Sequence, residues 1–333
     1  MKPKLGLKAV EMKPADWQEL IAGGKPAAWE DKRREFSEQT PSRLPLVGVR
    51  LAKLDLSGWD LSHCDLTRSQ LTEVNLAGAN LANSLLRRVR LTAVCLAGAN
   101  LELASLSEAS GRGLDLSHAN LRLANLMKTN FGQLLARGAQ VDSCDFSAGV
   151  LTGADLAGIQ GESPHFMNTN LARANLRGAR LRRPSFRLAD LSDLDASEAE
   201  LPGADFTFAR LIRSRLTGAD LTGAAFIACA FQETDLTRAV LRGAHLERVQ
   251  IDYVNLAGAD LTDAVFTAVG SEELRQVSQE LRELAHDKYL LCGAGRESVK
   301  LHDGTLNLLT PFSQAVSAEA TAGTLEESGR EEE

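Results

Sequence analysis

The sequence of 333 residues has few aromatic side chains, few cysteines and no long apolar run. Aromatic residues make up 5% of the chain, so a conventional core of large rings is not expected. The longest uncharged apolar stretch, around residues 223–231, is far shorter than the roughly 20 residues that a membrane helix needs. Residues 1–13 lack the apolar segment of a secretory signal, so we expect a cytoplasmic protein. Five cysteines in so long a chain do not indicate a disulfide framework.

An excess of basic charge is also lacking, because 37 Lys and Arg residues face 44 Asp and Glu residues and the formal net charge is −7. Residues 269–333 alone carry a net charge of −7, whereas residues 45–268 are close to neutral at −2. This balance excludes a strongly basic nucleic-acid binder, and direct nucleic-acid binding is not expected.

What the sequence does contain is a repeat of five residues that runs without a slip from Leu46 to Phe266. Of the 45 positions at this spacing, 31 are Leu and 8 are Phe. The residue two places before each such centre is usually Ala or another small residue, and none of these 90 positions is charged. Asp or Asn directly precedes the centre 21 times, so the unit reads Ala-(Asp/Asn)-Leu-x-x.

A period of five fits neither an α-helix nor a β-strand, and it predicts a coil with flat sides that each carry one pentapeptide. Glycine follows the centre by two residues at 8 of the 11 positions spaced by 20 residues from Gly58. Six of the Phe centres share one class with the same spacing: Phe146, Phe166, Phe186, Phe206, Phe226 and Phe266. We therefore predict four pentapeptides per coil and about 11 coils. One wall should hold stacked Phe rings, and one corner should favour the positive φ that Gly supplies.

The pattern resembles the pentapeptide-repeat family over about two thirds of the chain. The resemblance implies an all-β solenoid, a right-handed quadrilateral β-helix. The family hosts several functions, so the fold by itself does not define the role of this chain.

A solenoid needs caps on its open ends. Residues 1–43 are predicted to form a helical N-terminal cap, with Trp17 and Trp29 covering the first coil of the β-helix at 44–270. Residues 271–312 are predicted to form a C-terminal helix and hairpin cap, and 313–333 a disordered acidic tail. The apolar stripe on the C-terminal helix, Ser271–Leu291, fits either a capped monomer, which we favour slightly, or a twofold homodimer.

Four centres lack a large side chain. At Ala136, Gly161 and Ala196 a large residue two places earlier restores the lost volume. Gly111 has no such neighbour, so we expect a weak coil or a local bulge there.

No catalytic or metal-binding constellation is apparent. The six histidines are scattered, and Cys64, Cys144 and Cys229 occupy inward positions, which is typical of buried thiols. The Asp and Asn residues before the centres are interpreted as turn formers that bind nearby backbone. We therefore expect neither an enzyme nor a cofactor, metal or small-molecule substrate.

One surface region stands out as a partner patch. It combines a group of arginines, opposed mainly by Asp190, with outward apolar side chains. The candidate residues are Leu188, Phe208, Ile212, Ile227, Arg180, Arg182, Arg183, Arg187, Arg210 and Arg213. A solvated surface, or coverage by the C-terminal segment, would also account for the pattern.

The leading hypothesis is a non-enzymatic scaffold, a rigid rod whose walls bind a protein partner. One alternative, implied by the family resemblance, is a mimic of duplex DNA that protects a type II topoisomerase such as gyrase from inhibitors. That role requires an acidic wall, which a nearly neutral rod lacks. A second alternative is a secreted effector or a toxin-associated accessory protein.

Overall fold

A computed structural model describes residues 13–39, 42–267 and 299–300. Two α-helices precede a long coil of short strands. The helices are α1 (Pro14–Ala22) and α2 (Pro26–Gln39). The strands are β1 (Leu44–Pro45), β2 (Arg50–Ala52), β3 (Cys64–Asp65), β4 (Gln70–Thr72), β5 (Arg90–Thr92), β6 (Ser110–Arg112), β7 (Gln160–Glu162), β8 (Arg180–Arg182), β9 (Arg210–Ile212), β10 (Ala225–Ile227), β11 (Ala230–Gln232), β12 (His245–Glu247), β13 (Gln250–Asp252), β14 (Val265–Thr267) and β15 (Val299–Lys300).

The coil is a β-solenoid in which the bridged residues of each side pair with the residue 20 positions further on. Leu51 lies opposite Leu71, and Leu71 lies opposite Leu91, in parallel strands. Parallel bridges in steps of 20 residues connect Asp60 to Asp260, which makes about ten turns. The prediction of four pentapeptides per coil is therefore confirmed.

The two helices pack on the first coil because each contributes a tryptophan that is fully buried. The ring of Trp17 meets that of Trp29 edge to face at 5.6 Å, and Trp29 lies 6.0 Å from Trp59 of the first coil. The indole N–H of Trp29 donates to the carbonyl of Asp60 at 2.8 Å, and Arg33 pairs with the carboxylate of Asp60 at 2.6 Å. These contacts cover the first coil with aromatic surface and join the helices to the solenoid.

The interior is a column of the repeating large and small residues, most of them apolar, and the Phe centres stack in one wall as predicted. From Phe146 to Phe226 the neighbouring rings are nearly parallel, with centroids 4.8–5.1 Å apart. This distance matches the spacing of adjacent strands, so each coil adds one ring to the stack. Phe266 has the same register through its pairing with Leu246.

The corners differ from the expectation that one column alone needs a positive φ. Every corner residue two places after a centre, from Gly48 to Asp263, has a φ of 49–71°, and most of them are not glycine. A Cβ added at Gly58 or Gly178 would meet no atom within 4 Å, so space does not explain the glycine column either. All four corners share a positive φ, but they do not share one turn. In the glycine column the amide three residues after the centre donates to the carbonyl of the centre, as Ala79 does to Leu76 at 3.0 Å, whereas no such bond follows Leu71 in β4.

Gly111 also departs from the prediction, because no bulge forms there. It lies in the regular strand β6, opposite Leu91 of β5. The missing side chain is replaced from the next coil: a Cβ at Gly111 would lie 3.0 Å from Cδ1 of Phe131, whose ring is fully buried. The residue that restores the volume is thus 20 positions away, one coil along the rod.

The Asp and Asn residues before the centres serve the backbone, as interpreted from the sequence. Their side-chain oxygens accept hydrogen bonds from the amide two residues later, as Asn80 does from Ala82 at 3.2 Å. They also bind one another between coils, where the amides of Asn80, Asn100 and Asn120 each donate to the residue 20 positions before them at 3.0–3.2 Å. These ladders satisfy polar groups along the walls.

At the far end of the described coils, β14 pairs with β12 in parallel and with β15 in antiparallel orientation. The predicted C-terminal helix at Ser271–Leu291 lies outside the described residues, as do most of the predicted hairpin and the acidic tail at 313–333. The division of the chain into cap, β-helix, second cap and tail stays a prediction, together with the choice between monomer and dimer.

Candidate interaction surface

The wall that holds the stacked Phe rings inside also has a distinctive outer surface. We call it the Phe wall. The corners on either side of this wall are its two edges. The first edge consists of Val47, Gly48 and the residues that follow them at steps of 20. The second edge consists of Ser62, His63 and the residues that follow them at steps of 20. The outward residues between the two edges include several small uncharged side chains, such as Ser105, Asn125 and Ser185.

Exposed apolar side chains concentrate on these two edges. Among the described residues, nine large apolar side chains are exposed, and six of them belong to the edges of the Phe wall. These six are Val47, Leu103, Leu123, Met167, Leu188 and Phe208. Single exposed apolar residues are common on protein surfaces, but their concentration along one wall is typical of an interaction surface.

Leu188 and Phe208 form the most exposed part of the first edge. They occupy the same corner in successive coils and are 54% and 53% exposed. The backbone amide of Phe208 donates to the carbonyl of Ile227 at 2.8 Å, and that of Leu188 to the carbonyl of Thr207 at 2.9 Å. Both have a positive φ of 58–60°. Because the left-handed region disfavours such side chains, the fold does not itself call for Leu or Phe here.

The structure does not bring all ten residues of the predicted patch to one face. Ile227 and Arg187 lie on the first edge beside Phe208. Arg210 and Ile212 are outward residues of β9 on the adjacent wall, where Ile212 is half-buried, and Arg213 follows them. The remaining arginines lie across the Phe wall from Phe208: Arg182 and Arg183 on the second edge, and Arg180 on the wall beyond that edge. A flat partner would reach only part of this set.

The arginines are not opposed mainly by Asp190, as the sequence suggested. Asp190 instead accepts hydrogen bonds from the amide and hydroxyl of Ser192. The arginines pair with carboxylates of neighbouring coils: Arg180 with Glu200 at 3.3 Å, Arg182 and Arg183 with Glu162, Arg187 with Asp205 at 3.2 Å, and Arg213 with Asp193 through two bonds of 2.7 and 2.9 Å. The physical reason is the register, which places residues 18 to 21 positions apart side by side. Arg210 has no such pair among the described residues.

Leu103, Leu123 and Val47 were missed in the sequence. Leu103 and Leu123 stand at the same corner of the second edge in successive coils and are 50% and 49% exposed. Their signal was present, because residues spaced by 20 from His63 share one corner. They were overlooked because they are far in sequence from the arginine group.

Carboxylates in one column of the rod are separated by other side chains. In the column that begins at Asp55, an Asn or Arg stands between Asp155 and Asp195 and again between Asp195 and Asp235. Partial burial tends to raise the pKa of Asp195, but hydrogen bonds from the hydroxyl and amide of Ser197, and the charges of Arg177 and Arg215, outweigh it and lower the pKa. The carboxylate of Asp195 is therefore ionised and partnered.

Three thiols are buried in the interior. Burial raises the pKa of Cys64 and of Cys229 to about 12, and it raises that of Cys144 as well. Thiols with such high pKa values are poor nucleophiles at neutral pH. In the part of the chain that the structure describes, no group of three or more His, Cys, Asp or Glu residues could hold a metal ion. No helix there has the length and apolarity needed to cross a bilayer.

The sequence model for pentapeptide repeats matches residues 46–81, 69–107, 84–122, 104–139, 142–183, 189–226 and 229–267. This chain belongs to the pentapeptide-repeat family. Among curated proteins, none matches the sequence significantly.

Solved structures of other pentapeptide-repeat proteins are similar to the chain at low identity. HetL, a protein involved in heterocyst differentiation regulation from the cyanobacterium Nostoc sp. strain PCC 7120, is 24% identical. The match covers 76% of this chain and 97% of HetL, with a TM-score of 0.31. Full-length QnrB1, a plasmid-mediated fluoroquinolone resistance protein, is 18% identical over 71% of this chain and 99% of its own, with a TM-score of 0.30. At these values neither likeness indicates what this pentapeptide-repeat protein binds.

Proposed function

We propose that this protein is a non-enzymatic scaffold whose Phe wall binds a protein partner. The observation that carries the proposal is the concentration of exposed apolar side chains on the two edges of this one wall. Most of these side chains occupy corners where the positive φ favours Gly, Asn or Asp over a large apolar residue. Stability of the fold does not account for them, whereas a partner that covers them would.

The interior supports the same role by making the wall rigid. The inner face of the Phe wall is a continuous stack of rings from Phe146 to Phe226, and each coil is hydrogen-bonded to the next. A preorganised surface loses little conformational entropy when a partner binds. The paired arginines beside the wall suit a polar rim around an apolar centre.

Mimicry of duplex DNA is the less favoured function. B-DNA carries one negative charge per roughly 1.7 Å of its axis. The column that begins at Asp55 interleaves carboxylates with amides and an arginine, and Arg88, Arg137 and Arg242 neutralise further acidic groups at 2.5–2.9 Å. A gyrase supercoiling assay with and without a quinolone tests this alternative, and we expect no protection.

Affinity capture from the native host with matched variants tests the proposal. The test variants are Leu188→Asp and Phe208→Asp on the first edge, where Asp tolerates the positive φ. The control is Leu135→Asp, because Leu135 is 46% exposed but lies on a different wall. We expect the edge variants to lose a protein that the wild type and the control both retain. Identical captured proteins from all four chains would refute the role of the Phe wall.

A further inference from the structure

Two hollows in the outer surface of the rod lie over the two inward centres that are glycine. One has a volume of about 700 Å³ and lies over Gly161, and the other has a volume of about 610 Å³ and lies over Gly111. They differ in charge, because acidic residues line the hollow over Gly161 and none lines the hollow over Gly111. The comparison between them shows which of the two fits a ligand.

In the hollow over Gly161, every arginine has an acidic partner. Arg180 pairs with Glu200 at 3.3 Å, Arg182 pairs with Glu162 at 3.5 Å, and Arg183 pairs with the same Glu162. The positive groups there are satisfied within the protein.

In the hollow over Gly111, no acidic residue lines the surface. Its two arginines, Arg90 and Arg112, have no ion pair among the described residues. They project from the paired strands β5 and β6, in which Arg90 lies opposite Ser110 and Arg112 opposite Thr92. The outward residues of the two strands therefore form a four-residue array. The two arginines lie on one diagonal of this array, and the hydroxyl side chains of Thr92 and Ser110 lie on the other.

The next coil borders the hollow with Gly132, which has no side chain, and with the side-chain amides of Asn130 and Gln133. Position 132, which follows Arg112 by 20 residues, is a glycine without a side chain, and a Cβ built there would meet only the carbonyl oxygen of Thr152, at 3.9 Å. Asn130 and Gln133 line the hollow on either side of Gly132. The space beside Arg112 is thus open and bordered by hydrogen-bond donors.

We infer that the hollow over Gly111 binds a phosphate group through Arg90 and Arg112. Guanidinium groups present planar forks of N–H donors that match phosphate oxygens. A phosphate dianion balances the two positive charges that have no ion pair. It has more oxygen atoms than one guanidinium group can bind, so both arginines can contact it. Thr92, Ser110 and Asn130 supply further donors. A single carboxylate would leave one guanidinium and these polar groups unused, so we expect it to bind more weakly.

Titration of the full chain with inorganic phosphate, at constant ionic strength, tests the inference. Binding is followed by broadening of the phosphorus NMR signal and by shifts of the Gly111 and Gly132 amide resonances. We expect saturable binding that weakens at least tenfold in Arg112→Gln and in Arg90→Gln. The matched control is Arg182→Gln, in the hollow over Gly161, which should bind phosphate as the wild type does.

A second variant keeps the test decisive if an arginine substitution disturbs folding. Gly132→Glu fits sterically, because its φ is not positive and the added Cβ has room. The new carboxylate should occupy the space beside Arg112 and abolish phosphate binding while the fold persists.

Phosphoserine peptides and acetate complete the titration. If the phosphoserine peptide binds more tightly than inorganic phosphate, the natural ligand is a phosphorylated protein. If the two bind equally, the natural ligand is a free phosphate. Absence of saturable binding, acetate binding as strong as phosphate, or an equal loss in Arg182→Gln would overturn the inference.

Discussion

Two phenylalanines that are two residues apart provide a sharp test of how the walls are built. Phe206 is 1% exposed and Phe208 is 53% exposed. The ring of Phe206 lies between those of Phe186 and Phe226, at centroid distances of 5.1 and 4.8 Å. Truncation of both residues to alanine removes the same atoms, from the interior at Phe206 and from the exposed corner of the same coil at Phe208.

The expected losses differ because only one ring supports the core. Replacing a buried Phe by Ala costs about 3–5 kcal/mol, from lost burial and the cavity that remains. Each stacked aromatic pair adds roughly 0.5–1.5 kcal/mol, and Phe206→Ala breaks two of them. We therefore expect a loss near the upper end of that range, about 4–5 kcal/mol. Phe208→Ala should change the free energy of unfolding by no more than about 0.5 kcal/mol.

Urea denaturation followed by circular dichroism measures both changes. Since repeat proteins can unfold in sections, hydrogen exchange of the amides in the coils around Phe206 should accompany it. Exchange in those coils should accelerate in Phe206→Ala and stay unchanged in Phe208→Ala. Comparable destabilisation by the two substitutions would refute the inward and outward assignment on which the Phe wall rests.

Further outcomes follow from the glycines, the carboxylates and the buried thiols. Gly161→Ala should cost about 1–3 kcal/mol in thermal melts, because its Cβ would lie 2.7 Å from the backbone of Val141. Gly178→Ala, which meets no atom, should cost only about 1 kcal/mol from its positive φ. Melts in acid should show stability that persists down to about pH 4 and then falls. Asp195 and Asp205 have folded pKa values below the ordinary 3.8, so they stabilise the fold above that pH and cease to do so as pH drops through the folded values. Mass-spectrometric mapping of alkylation should find half-exposed Cys95 modified well before the buried thiols.

Much of the fold could be predicted because the repeat is strict enough to define the register. Once Gly and Phe showed a common period of 20, each residue could be assigned to a wall and a coil, and the stack from Phe146 to Phe226 followed. Contacts between coils were harder to foresee. Phe131 fills the space above Gly111, and Asp193 binds Arg213, because residues 20 apart are neighbours. Both were missed when compensation and charge were considered only within one coil.

The surface was the least predictable part. Position in the repeat shows which side chains point outward, and it placed Leu188 and Phe208 at one corner. It does not show how far a long arginine side chain reaches, so the pairs formed by Arg182 and Arg187 could not be read from the sequence. Nor could the hollows over Gly111 and Gly161, since their shape depends on how the outward side chains around them lie.

Site-specific photo-crosslinking in the native host tests the central claim, that the Phe wall binds a protein, most directly. A photoreactive phenylalanine analogue placed at Phe208 or at Leu123 would stand on either edge of the wall, and the same analogue at Leu135 would stand on another wall with similar exposure. The account predicts a common crosslinked protein from Phe208 and Leu123 and none from Leu135. Crosslinking from Leu135 alone, or from all three positions alike, would contradict it.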